Sequence, residues 1–95
     1  MVAVLIPMDS RTNTILKKPE IITQGFIYPD DRSLKLLNKA TEELHKDLLE
    51  LMKTKVTFGE IKNITRSTVG KILFDHTHRN PMIIPIIMNK NESKL

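Results

Sequence analysis

Val2-Ala3-Val4-Leu5-Ile6, closed by Pro7, decides the reading of this chain. Apolar and β-branched residues fill every position of a strand-length run. Strand side chains alternate between faces, so a strand with one wet face should alternate apolar with polar. Here Val2, Val4 and Ile6 point one way while Ala3 and Leu5, equally apolar, point the other. The far end of the chain repeats the pattern in Met82-Ile83-Ile84-Pro85-Ile86-Ile87-Met88, where Met82, Ile84 and Ile86 oppose Ile83 and Ile87. Both strands ask for cover on both faces.

Working inward from the first strand, Asp9-Ser10-Arg11-Thr12-Asn13-Thr14 gathers short polar side chains that bond to nearby backbone, which predicts a turn. Ile15-Leu16 and Glu20 to Thr23 resume an extended pattern around Lys17-Lys18-Pro19. Proline has no N–H for a ladder, so an edge strand or a bulge is expected there. The first 27 residues read as a β-hairpin with an irregular second arm, followed by a bend over Gly25-Phe26-Ile27-Tyr28-Pro29.

Asp30, Asp31 and Ser33 then offer N-cap oxygens to a first helix. Leu34, Leu37, Thr41, Leu44, Leu48 and Leu51 recur at spacings of three and four, with charged residues between them, including a Glu42–Lys46 pair at i,i+4. The second helix opens on a capping box: Thr57 caps the N–H of Glu60 and Glu60 reaches back, with Val56 and Ile61 placed as a hydrophobic staple. Its apolar stripe runs through Ile61, Ile64, Thr68, Val69, Ile72 and Leu73, and it should fade between Thr77 and Asn80, before Pro81. Gly70 inside it costs about 1 kcal/mol relative to Ala, which points to a close helix approach or a bend. The order is ββααβ: an α/β fold of the α+β two-layer type, a three-stranded sheet with two helices on one face. Residues 1–88 form one domain and 89–95 a polar, disordered tail.

Two helices can cover one face of such a sheet. The second face would present a contiguous apolar patch, and such patches usually mark an interface. A strongly twisted sheet with the termini folded over it is the alternative. Val2, Val4, Ile6, Ile83, Ile84, Ile86 and Ile87 are the interface candidates.

The chain has 95 residues, 40% hydrophobic and 27% charged, the balance of a globular domain rather than a disordered one. A domain of this size is marginal alone and gains from a partner. It has no cysteine, which excludes disulfides, thiolate nucleophiles and Cys-based zinc sites. Met1 to Met8 has no basic region before it and is too short to span a bilayer, so neither a targeting signal nor a membrane segment is expected, and the location is read as cytoplasmic.

Chemistry is scarce. Asp75-His76-Thr77-His78 has the opening of an H-x-H-x-D-H metal motif of the metallo-β-lactamase fold, yet Arg79-Asn80-Pro81 follows, without the aspartate or the third histidine. Zinc needs three or four converging ligands, and on a helix His76 and His78 would stand about 200° apart. His45 lies mid-helix among charges. No metal site is expected. None of Ser10, Ser33, Ser67 and Ser93 sits in a nucleophile elbow, and three glycines supply no phosphate loop, so no catalytic residue is expected either. The net charge of +4 permits contact with nucleic acid without requiring it. Lys62 and Arg66 share a helix face, with Arg79 as a third possible RNA contact, and Lys17-Lys18 form a second basic pair. One tyrosine and three phenylalanines are too few for a base-stacking platform.

Taken in order, these segments resemble the C-terminal domain of bacterial ribonuclease J. The carrying elements are the apolar first strand, the bend at Gln24-Gly25-Phe26-Ile27-Tyr28, a second helix opening near Glu60-Ile61-Lys62, and the closing run Thr77-His78-Arg79-Asn80-Pro81-Met82-Ile83-Ile84-Pro85-Ile86-Ile87. The last is the most specific, and together they cover nearly the whole chain. One position departs: the family commonly has Arg where this chain has Gln24. The resemblance implies a parent enzyme with a zinc-dependent metallo-β-lactamase core and a β-CASP domain that degrades or matures RNA as a 5′-to-3′ exonuclease and endonuclease. This chain would then be its accessory module, associated with dimer formation, touching RNA only through the parent. It would hold no cofactor itself, and its partners would be the upstream catalytic domains and a second copy. A free-standing RNA-binding module and a self-associating domain unrelated to RNA remain the alternatives.

Overall fold

β1 (Val2–Asp9) forms the middle of the sheet, and its burial alternates residue by residue: Val2, Val4, Ile6 and Met8 are buried, while Ala3, Leu5, Pro7 and Asp9 are half-buried. The structure is a computed structural model that describes residues 1–24 and 31–90. β1 pairs antiparallel with β2 (Thr14–Ile15) and β3 (Glu20–Thr23), and parallel with β4 (Ile83–Asn89). Met8 is partnered by both Ile15 and Asn89, and Val2 by both Thr23 and Ile83. A strand has two edges, so β2 and β3 must share one edge of β1 and β4 takes the other.

The irregular second arm of the hairpin is therefore two strands. The four strands occupy three positions across the sheet, where a single second arm had been expected. The break has a backbone cause. Leu16 donates its N–H to the Pro7 carbonyl at 2.9 Å, but Pro7 has no N–H to return. Pairing lapses opposite it, Leu16 to Pro19 leave the ladder, and β3 resumes with its register moved from Met8↔Ile15 to Leu5↔Glu20.

A second proline has a quieter place. Val2 donates its N–H to the Met82 carbonyl at 2.8 Å, so Ile84, Ile86 and Met88 turn their backbone groups toward β1. Pro85, between them, has its missing N–H on the outer edge, where a strand tolerates it.

α1 (Asp31–Leu51) and α2 (Phe58–Thr77) both cover the face that carries Val2, Val4, Ile6 and Met8. α1 contributes Ala40, Leu44 and Leu48, with Leu36 and Leu51 packed at the margin. The stripe starts later than its leucine spacing suggested, because Leu34 is 56% exposed. α2 contributes Ile61, Thr65, Val69 and Leu73, every fourth residue. Thr65, unmarked by the apolar pattern, is buried because its hydroxyl donates to the Ile61 carbonyl at 2.8 Å, which removes the penalty of burying it. Thr68 and Ile72 are only half-buried, and Thr68 donates its hydroxyl to Asp47 of α1 at 2.7 Å.

The capping box at Thr57 and Glu60 forms as its sequence specifies. α2 ends at His78, which takes a left-handed conformation with φ 57° and donates its N–H to the Phe74 carbonyl. The close approach expected at Gly70 is to the sheet rather than to the other helix: a Cβ there would lie 3.3 Å from the terminal methyl of Ile83.

β4 extends one residue past the expected strand. Asn89 is buried, accepting the Ser10 N–H at 3.1 Å and donating to the Ser10 hydroxyl at 2.8 Å, so it is not part of a polar tail. The bend at Gly25 to Pro29, the cap at Asp30 and residues 91–95 lie outside the described residues. No described helix is long and apolar enough to cross a membrane.

Candidate functional site

With both helices on one side, alternation along β1 leaves Ala3, Leu5 and Pro7 on the other. The register sets Ile84 beside Ala3, Ile86 beside Leu5 and Met88 beside Pro7 on one flank, with Ile22 and Glu20 on the other. Ile22 is 47% exposed, Ile86 42% and Met88 51%. The result is a contiguous hydrocarbon surface that no described helix covers. At its Pro7 end, where the hairpin arm breaks, it deepens into a groove of about 630 Å³ lined by Leu5, Pro7, Leu16, Lys17, Lys18 and Met88 among others.

This face has different members from those expected. Val2, Val4 and Ile6 are 0% exposed beneath the helices, so the interface role assigned to them is corrected: they build the core. Ile83 and Ile87 pair in register with Val2 and Ile6, and pack against that core at its margin. Of the residues named as interface candidates, Ile84 and Ile86 lie on the open face. Leu5, Leu16, Ile22 and Met88 were missing from that set. Period-two alternation had already separated Leu5 from Val4; what it could not say was which of the two sets the helices would choose.

The three residues named as possible RNA contacts do not gather. Lys62 is half-buried near the start of α2, and Arg66 is exposed one turn later with its guanidinium donating to Asn63 at 3.3 Å. Arg79 follows the other end of the helix, whose last residue, Thr77, lies about 16 Å along the axis from Arg66 at 1.5 Å per residue. Lys18 of the hairpin pairs with Glu42 of α1 instead of leaving Glu42 to Lys46, and this ammonium group holds the Glu42 carboxyl below its ordinary range.

Among the described residues no three His, Cys, Asp or Glu side chains converge. His76 Nδ1 lies 3.0 Å from the Ile72 carbonyl, and His78 closes the helix with its ring edge-on to Phe74 at 6.0 Å. These residues do not fit a zinc centre.

The fold defines a two-layer α+β domain whose helices cover one face of the sheet and leave an apolar face open. The family model of the ribonuclease J C-terminal domain matches residues 1–90, and the chain belongs to that family. It is 37% identical over 84 residues to ribonuclease J 2 of Staphylococcus saprophyticus, an alignment of 87% of this chain and 15% of that protein. It is 37% identical over 86 residues to ribonuclease J2 of Bacillus subtilis, covering 90% and 15% respectively. For ribonuclease J 2 of Staphylococcus aureus the figures are 35% over 85 residues, 87% and 15%. The chain thus spans about 15% of the length of the curated relatives it matches.

Proposed function

We propose that this chain is the non-catalytic assembly domain of a ribonuclease J-type enzyme that degrades or matures RNA in the cytoplasm. Its finished face gives it a core of its own, and its open face seats it against the rest of the enzyme or a second copy. The parent's zinc, its metallo-β-lactamase and β-CASP domains and its RNA-cleaving groups would all belong to polypeptide outside these residues.

One observation carries the reading: Leu5, Ile22, Ile84, Ile86 and Met88 form a hydrocarbon surface on a chain that aligns with only a small part of its relatives. Exposed apolar patches of this kind are costly to keep unless something covers them. The separation of Lys62 and Arg66 from Arg79 favours this over direct RNA binding.

The test places Ile86→Asp in the full-length enzyme, with Arg66→Asp as a control for RNA contact. Ile86 is 42% exposed, so the domain should keep its own fold, which circular dichroism checks. Light scattering should show loss of assembly, and RNA hydrolysis should fall at least about tenfold, the equivalent of ~1.4 kcal/mol. The Arg66→Asp enzyme should do neither. An Ile86→Asp enzyme with full mass and full activity would overturn the reading, and loss of RNA binding with Arg66→Asp alone would favour an RNA-binding module.

A further inference from the structure

Met82 and Met88 bracket Ile84 and Ile86 at alternate positions of the last strand and its approach. Met88 stands beside Pro7 in the register and is 51% exposed. Met82 precedes β4, but its carbonyl accepts the Val2 N–H at 2.8 Å, so the ladder reaches back to it. Alternation then puts it on the side of Ile84, and it is 70% exposed. The open face thus has a thioether at each end of its isoleucine row. Met8, by contrast, is 2% exposed in the core.

Among the apolar side chains of this face, only the thioethers react with a mild oxidant. Attack of the sulfur on hydrogen peroxide forms an S–O bond, breaks the O–O bond and releases water. The sulfur gives up two electrons and the peroxide takes them. The product is a sulfoxide, whose oxygen is a strong hydrogen-bond acceptor. A face that loses its water on assembly must then strip this oxygen too, and burying a polar group without a partner is unfavourable.

We infer that Met82 and Met88 are a peroxide-sensitive modification site: oxidation of their sulfurs to sulfoxides stops the open face from assembling, and reduction restores it. This rests on the assembly reading and adds its regulation, whichever apolar surface covers the face. The sulfurs are open to a soluble oxidant whenever the face is uncovered, so oxidation traps the separated state. Met8 is out of reach beneath the helices, and the core survives the switch.

The test titrates the full-length enzyme with hydrogen peroxide. Peptide mass spectrometry maps the sulfoxides, and light scattering follows assembly. Met82 and Met88 should be oxidised before Met8, and assembly should weaken at least about fivefold as they are. Methionine sulfoxide reductases should restore it. The Met82→Leu/Met88→Leu enzyme is the control for oxidation elsewhere. Leucine keeps the hydrocarbon and nearly the volume, and both positions are exposed, so this enzyme should fold and assemble normally. It should also keep its assembly through the same peroxide dose.

Equal loss of assembly in the leucine enzyme overturns the inference, because the oxidant then acts at another site. So does full oxidation of Met82 and Met88 with assembly unchanged, or their survival as thioethers at the dose that ends assembly. A loss that the reductases cannot reverse overturns it as well. If Ile86→Asp abolishes assembly without oxidant in those cases, the assembly reading stands without this switch.

Discussion

Asn13 shows how much one side chain can settle. Its φ of 54° is in the left-handed region that L residues rarely occupy, and Asn tolerates it better than most. Its side-chain amide donates to the Met52 carbonyl at 3.0 Å and the Thr54 carbonyl at 2.8 Å, fastening the hairpin turn to the loop between the helices. Asn13→Ala should lose about 2 kcal/mol, from two hydrogen bonds and the backbone conformation together. Asn13→Gly should lose less, since glycine accepts that φ freely; urea midpoints of the two variants that coincide would contradict the account. The polar run from Asp9 to Thr14 announced the turn, but the carbonyls that Asn13 reaches are about forty positions away and leave no mark near it. The Lys18–Glu42 pair is hidden from sequence for the same reason, although it makes a pH prediction. Glu42 has a lowered carboxyl pKa in the fold, chiefly through its hydrogen bond to Lys18 and then through that residue's charge. The stabilisation is present above the unfolded value near 4.5 and is lost as pH falls through the lower folded value. The pair is exposed and the effect small. Melting temperatures of Glu42→Gln and the unaltered chain should differ at neutral pH and converge in acid, and high salt should narrow the gap at neutral pH.

Among the elements, α2 was the most legible, because its start is written locally in Thr57 and Glu60 and its end follows from the approach to Pro81. The strands were legible as strands, and the irregularity of the second hairpin arm was visible in Lys17-Lys18-Pro19. The hidden term was Pro7: its effect appears only across the ladder, where the missing N–H removes a partner from the opposite arm. The stripe of α2 was legible in outline but was read too broadly, since a hydroxyl that bonds its own helix, as Thr65 does, packs as a core residue. Gly70 sits at the boundary between intrinsic propensity and packing. Gly70→Ala gains up to about 1 kcal/mol of helix propensity and meets only the rotatable end of Ile83 at 3.3 Å, so a small net stabilisation is expected. Gly70→Val drives bulk into β4 and should cost about 1–3 kcal/mol. Chemical denaturation of both variants decides it; equal losses would mean that Ile83 cannot move.

For the whole molecule, the surplus of hydrocarbon over available cover was readable from β1 and β4 before any fold was known, because both faces of both strands are apolar. The side that the helices take was not. It depends on how two helix stripes and three strand positions fit together, and Val2, Val4 and Ile6 are in the core only because that packing chose their face. The sheet has a further dependence on completeness. β1 pairs with β4 along its length, from Val2↔Ile83 to Met8↔Asn89, and β2 and β3 are too short to replace that support. A chain ending before Ile83 should show no cooperative melting transition by circular dichroism; a sharp one would mean that the hairpin and helices suffice. Consider, then, the molecule during its own synthesis. Of the two strands paired along their length, β1 leaves the ribosome before β4, which arrives about eighty residues later, some 4–16 s at ordinary translation rates. For that interval Val2 to Met8 is a ready target for chaperones and for wrong partners. The nascent chain has to be kept from settling until its last strand emerges.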